Sequence, residues 1–314
     1  MFYPTVQSFP TVMSFSSPSP NNTSLSSSNF FLDYVLENCF NNTVGLYIFT
    51  TFTIGSTLLL VPLCLFVFFV GHRQSRQQGP GWKMSHSDVF TYHAVAVELI
   101  SVFGSTVLCC GIHAYLPGMI MFGGIFYSLN IPGQMVFHCL TGFERYLAVV
   151  HPITYRSLRT AKGMRIRDLT VCCAWLFSFA WAVAVTLINK LIFAITAFCV
   201  TVVFFLVISF CSLSVLCILT RPGPGKQGGK RQVDQSKMRA FYTILAILGL
   251  LMFRFGGNMI SITLYAAIKI LERGLCEMML SVTWFLLPSR LVLPLLFLHR
   301  AGKLLCCKSK DGLG

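Results

Sequence analysis

Seven apolar stretches, each long enough to cross a bilayer, account for most of this chain and leave little freedom in how it can fold. They run approximately from Val44 to Val70, Ser87 to Ile112, Gly118 to Val150, Leu169 to Ile188, Leu191 to Leu219, Ala240 to Ile268 and Met278 to Leu298. A spanning helix needs about 20 mainly apolar residues, because each residue advances 1.5 Å through a hydrocarbon core of about 30 Å. Lipid offers the backbone no hydrogen-bond partners, so each crossing segment must satisfy its own N–H and C=O groups. No ten-residue alternation of the barrel kind is present, and helices remain. The expected fold is an all-α membrane protein, a seven-transmembrane helix bundle over 44–298. It follows an extracellular Ser/Asn-rich tail over 1–43 and precedes a short cytoplasmic amphipathic helix and tail over 299–314. Only Asn189 and Lys190 separate the fourth and fifth runs, so a single bent or re-entrant pair is the alternative there. Their summed length favours two spans.

Composition excludes the soluble readings. Of 314 residues 55% are apolar and 11% charged, against about 25% charged in an ordinary soluble domain. The net charge of +14 sits in short segments between the apolar runs, not on a polar surface interleaved with aromatics, which argues against a nucleic-acid partner. The positions of Lys and Arg set the orientation, because cytoplasmic loops hold the excess. Arg73, Arg76 and Lys83 follow the first run, and Arg156, Arg159, Lys162, Arg165 and Arg167 follow the third. Arg221, Lys226, Lys230, Arg231, Lys237 and Arg239 follow the fifth, and Arg300, Lys303, Lys308 and Lys310 follow the seventh. The other side has Lys190, Lys269 and Arg273, and the first 43 residues have neither Lys nor Arg. The N-terminus is therefore expected outside and the C-terminus inside, in the plasma membrane. The opening residues lack the basic start and compact apolar core of a signal peptide, so the first run is expected to act as an uncleaved anchor.

An outside tail makes its sequons at Asn21, Asn22 and Asn41 candidates for glycosylation, although short sequons arise by chance in such sequence. Cys39 and Cys276 both face the oxidising side and form a candidate disulfide. Cys306 and Cys307 follow a basic amphipathic stretch from His299 to Leu305 and are candidates for palmitoylation, with a pair of reduced thiols as the alternative.

The third run ends Phe143-Glu144-Arg145-Tyr146-Leu147-Ala148-Val149-Val150-His151-Pro152-Ile153-Thr154-Tyr155. Here the sequence resembles the rhodopsin-like, class A, G-protein-coupled receptors. Their signature closes the third span with an acid, Arg and Tyr, followed by an aliphatic run and by Pro, an aliphatic residue and a Tyr. The resemblance extends from about Val44 to Cys307 and is dense only in this segment. It implies that Arg145 contacts the C-terminal helix of a Gα subunit when an inner cavity opens, with Glu144 as its resting partner, Tyr146 and Pro152 in the motif, and Ile153 packing on the G protein. An Arg snorkelling to the interface would account for Arg145 alone, but not for the whole pattern.

Three charges lie mid-span: Glu98, Arg254 and Arg290. A charge in the bilayer costs about 2.5–3.5 kcal/mol on insertion scales, so each needs a partner or a purpose. Glu98 stands where the family has the Asp of its sodium site. The seventh run has Leu293-Pro294-Leu295-Leu296-Phe297 in place of Asn-Pro-x-x-Tyr, which keeps the kink of Pro294 and the ring of Phe297. Arg290 is expected to pair with Glu98 in place of the sodium ion, with Gln134 and Ser289 hydrogen-bonding nearby and Arg254 as a second partner. A protonated, hydrogen-bonded Glu98 is the alternative.

The chain departs from the family elsewhere. The third run lacks its outer Cys, the fifth lacks its Pro and Tyr, the sixth has Phe255-Gly256-Gly257-Asn258 in place of Trp-x-Pro, and Ser56 replaces the Asn of the first. These losses weaken the expectation of efficient agonist-driven switching. Tyr127 occupies the position of the amine receptors' acidic anchor, so amine recognition is not expected. Tyr127, Ser128, Asn130, Asn258, Ser261 and Thr283 are candidate lining residues for an unidentified extracellular ligand, each equally explicable as an interhelical hydrogen bond.

The chain has no catalytic, metal-binding or nucleotide-binding constellation, so neither an enzyme nor a cofactor or metal is expected. The expected function is that of a receptor coupling an extracellular signal to a heterotrimeric G protein. One rival is a receptor-shaped scavenger or trafficking partner that does not signal alone. Another is an ion- or proton-coupled transporter using the Glu98, Arg254 and Arg290 cluster, against which stands the lack of an internal repeat.

Overall fold

The computed structural model describes residues 43–77, 86–158, 160–187 and 190–220, together with residues 249, 252–260, 262–264, 277–278, 280–284, 287–288, 290–291 and 294. The described residues are almost entirely helical and contain no strand. In chain order they form α1 (Thr43–Gln77), α2 (His86–Ala114), α3 (Pro117–Ser128), α4 (Asn130–Val150), α5 (Pro152–Leu158), α6 (Ala161–Leu187) and α7 (Lys190–Thr220). Helical stretches follow at 252–260, 262–264 and 280–284. Five segments are long and apolar enough to cross a membrane: Thr43–Arg73, Asp88–Ala114, Pro117–Val150, Lys162–Ala184 and Ala194–Ile218. Large side chains on their outward faces, such as Leu58, Phe69, Leu176 and Phe210, are more than half exposed, as helices solvated by lipid require.

The fourth and fifth runs form two helices, α6 and α7, each containing a segment long and apolar enough to cross a membrane. The basic segment ahead of the fourth run is itself helical, so α6 begins at Ala161, well before the apolar residues start. The third span is interrupted once. Pro132 has no N–H to give the Ser128 carbonyl, and α3 ends at Ser128 while α4 resumes at Asn130. Leu129 keeps right-handed helical angles, so the axis continues through the break.

At the centre, α2 packs antiparallel against α3 and α4. Tyr115 adopts φ 54°, a left-handed cap in which the Leu116 amide bonds the Gly111 carbonyl at 3.0 Å, and Pro117 then opens α3. From this turn the backbones run in close contact. A Cβ on Gly104 would lie 2.5 Å from the Tyr127 amide nitrogen, and one on Gly123 would overlap the Leu108 backbone. Further along, Gly133 meets Val97, and the Gln134 amide donates to the Ala94 carbonyl at 2.7 Å. These paired positions fix both the register and the direction of the two spans.

Around this pair, Phe52 and Leu60 of α1 meet Val102, and Cys64 and Val67 meet Val95. On the other flank Phe90, Ala94 and Val97 pack with Phe137 of α4 and with Val171 and Ala174 of α6. There Trp175 donates to His93 at 3.3 Å, and the His93 ring stacks on Phe137. Met135 of α4, Ile208 of α7 and Phe255 close the remaining side. The core thus converges on the middle of α2 and α4, where the polar side chains are found.

Candidate functional site

Glu98 lies mid-way along α2 and is 2% exposed, enclosed by Arg254 at 3% and Arg290 at 5%. One guanidinium nitrogen of Arg254 lies 3.7 Å from Glu98 Oε1, and one of Arg290 lies 3.9 Å from Oε2. The closer contacts are made by Asn130, at the start of α4. Its Nδ2 donates to Glu98 Oε2 at 2.9 Å, and its Oδ1 accepts from Arg254 at 2.8 Å. Arg290 stands over the Phe52 ring, 5.6 Å from its centroid, and also reaches the Tyr127 hydroxyl. One carboxylate therefore joins α2 to two positively charged segments, with an amide interposed.

Several sequence expectations are redistributed by this geometry. Asn130, expected to line a ligand pocket, belongs to the ionic cluster. Gln134, expected to bond the cluster, gives its amide to the Ala94 backbone, and it lines a crevice with Val95, Glu98, His138, Arg290 and Pro294 that is too narrow for a water molecule. Tyr127 packs edge-on against Phe49, and Ser128 bonds its own helix at the Ile125 carbonyl. Thr283 likewise turns back to the Leu280 carbonyl, while Asn258 is buried at 2% exposure. Ser261, Ser289, Phe297, Cys39, Cys276, Asn21, Asn22, Asn41, Cys306 and Cys307 lie outside the described residues, as does the segment 299–314.

The bridging role of Asn130 was missed because an Asn among apolar residues reads equally well as pocket lining or helix contact. The available signal was spacing: Asn130 and Gln134 are four apart on one face of α4, the face that meets α2.

A second arrangement closes the other end of α4. Glu144 is buried, Arg145 is half-buried, and the chain turns at His151 into the seven-residue helix α5, opened by Pro152. The Tyr155 hydroxyl donates to Glu144 Oε1 at 3.1 Å, and Ile153 is 85% exposed. Tyr146 lies against His151 and Phe210, drawing α7 toward the same corner. The acidic member of the triplet is thus held from α5 while an apolar side chain on that helix faces outward. Sequence reading placed Tyr155 in the pattern but gave it no partner.

No protein-family model matches the chain, and no curated protein matches it.

Proposed function

We propose that this chain is a seven-span receptor of the rhodopsin-like class, set in the plasma membrane with its N-terminus outside, that couples an extracellular signal to a heterotrimeric G protein. The observation that carries the reading is the end of α4. A buried acid, a half-buried Arg and a Tyr close a membrane-length segment, and the helix that follows presents the exposed Ile153. An Arg beside a restrained carboxylate at a helix terminus has the chemistry of a contact that changes partners when neighbouring helices separate. The basic segments after the first, third, fifth and seventh apolar runs support an inward face for this corner.

The test is nucleotide exchange on a panel of purified G proteins by the full chain in nanodiscs. Exchange above that of empty nanodiscs, lost in Arg145→Ala, supports the reading. Exchange that is absent throughout the panel, or unchanged in Arg145→Ala, overturns it.

One observation favours a second reading, a receptor-shaped partner that does not signal alone. Glu98, Asn130, Arg254 and Arg290 tie together the segments that must part for an inner cavity to open. Under that reading the chain leaves exchange at baseline and instead alters the surface level of a co-expressed receptor.

A further inference from the structure

The buried cluster is not electrically balanced. Two guanidinium groups share one carboxylate, and among the described residues no second acid lies within ion-pair distance of either Arg. Within the seven apolar runs the sequence offers two other carboxylates, Asp88 in the first turn of α2, ten residues or about 15 Å of helix before Glu98, and Glu144. Glu144 lies near the far end of α4, about 21 Å of helix beyond Asn130. One positive charge is therefore left in a dry interior, where an unneutralised ion is costly.

Unused hydrogen-bond donors surround the same place. Arg290 Nε, Asn258 Nδ2 and Ser101 Oγ are buried and lack a hydrogen-bond partner. Ser101 is the more telling because Thr53, Ser105, Thr141 and Ser178 all close back onto their own helices. Ser101 and Arg290 lie at neighbouring levels. The antiparallel register of α2 with α3 and α4 puts Ser101 and Tyr127 about one turn from Glu98 and Asn130, toward the Tyr115 turn. Asn258 follows Arg254 by four residues on the same helical face. Arg290 reaches both levels, touching Glu98 at one and Tyr127 at the other. A layer of donors with a surplus positive charge, buried beside a neutralised pair, is complementary to one small anion.

We propose that this layer binds a small monovalent anion, either a free inorganic ion or the carboxylate head of an amphiphile, held by Ser101, Tyr127 and Arg290. The anion supplies the missing charge and accepts the orphaned hydrogen bonds. The inference stands on the cluster itself and holds whether or not the chain couples to a G protein.

The experiment is thermal unfolding of the purified full chain in nanodiscs of zwitterionic lipid at fixed ionic strength. The background salt is potassium gluconate, whose strongly hydrated, polyhydroxylated chain does not partition into an apolar helix bundle. Chloride replaces it in one arm, and decanoate is titrated in the other. The expected result is a saturable rise in unfolding midpoint of about 3 °C in at least one arm. Chloride alone identifies an inorganic ion, and decanoate alone identifies an amphiphile. The apparent affinity falls severalfold in Ser101→Ala, which removes one donor with little change of volume. The response vanishes in Asn130→Asp, which furnishes a second internal carboxylate. A flat response in both arms overturns the proposal, as does a rise that survives Asn130→Asp or is unaltered by Ser101→Ala.

Discussion

Arg254 stops 3.7 Å from the Glu98 carboxylate because Asn130 occupies the hydrogen-bonding position between them, donating to one and accepting from the other. Glu98 Oε2 and one guanidinium nitrogen of Arg254 are thereby bridged through the amide, Glu98 Oε1 keeps only the longer ionic contact, and α4 becomes the keystone between α2 and the 252–260 stretch. A buried charge that an interposed amide hydrogen-bonds even in part is better tolerated than a bare one.

Asn130→Leu preserves approximate volume and removes both hydrogen bonds. Hydrogen bonds to charged groups contribute about 1.5–3 kcal/mol each, so the loss is expected at about 3 kcal/mol. Thermal unfolding of the purified chain should show a midpoint lower by several degrees. An unchanged midpoint would mean that the amide is a bystander.

Glu98→Gln leaves two buried guanidinium groups without a counter-charge, and removing one partner of a buried pair costs about 3–5 kcal/mol. Surface expression, read by flow cytometry on an N-terminal tag, should fall sharply. Adding Arg290→Gln recovers only part of it, because Arg254 remains charged. The triple variant that also includes Arg254→Gln should recover most. Equal surface levels across the three variants would sink the idea that Glu98 neutralises both.

Gly104 and Gly123 set how closely α2 and α3 approach, since a side chain on either meets the backbone of the opposite helix. Small residues at such crossings allow the packing that substitutes for hydrophobic association within lipid. Gly123→Val should drive the two helices apart, costing about 2–3 kcal/mol as an overpacked contact, and the protein recovered from detergent should shift toward aggregate on size exclusion. Gly118→Ala, with nothing within 4 Å of the added methyl, should behave as wild type.

Apolar length made the membrane-length helices legible from sequence, because hydrocarbon thickness imposes a number on each run and the described helices match it to within a few residues for the second, third and fifth runs, while α1 continues seven residues past Val70 to Gln77. The start of α6 at Ala161 was not legible. Lys162, Arg165 and Arg167 dilute the hydropathy signal without lowering helix propensity. The charged members of the cluster stood out because a Glu or Arg within lipid is rare. Their neutral companions did not: Asn130, Ser101 and Asn258 are each compatible with several roles, and only the register of α2 against α4 decides which side chains meet. Phe52 shows the same limit, since its place beneath Arg290 depends on how α1 leans against α2 and on nothing local to its sequence.

The corner at α5 yields a prediction about local stability. This seven-residue helix has no buried residue, and a helix so short has too few hydrogen bonds to repay its own nucleation. Among the contacts that anchor it is the Tyr155 hydroxyl on Glu144, a charge-assisted bond at 3.1 Å spanning α5 and α4. Tyr155→Phe keeps the ring and removes only that hydroxyl, at an expected cost of about 1.4 kcal/mol. Amides over 153–158 should then exchange with solvent deuterium about tenfold faster, because local opening follows this free energy directly, while α2 and α4 exchange at wild-type rates. If the receptor reading holds, Ile153 is presented less steadily and nucleotide exchange falls in the same variant. Unaltered protection over α5 would show that other contacts hold that helix, and a uniform gain in exchange along the whole chain would assign Tyr155 to global stability and not to the positioning of this corner.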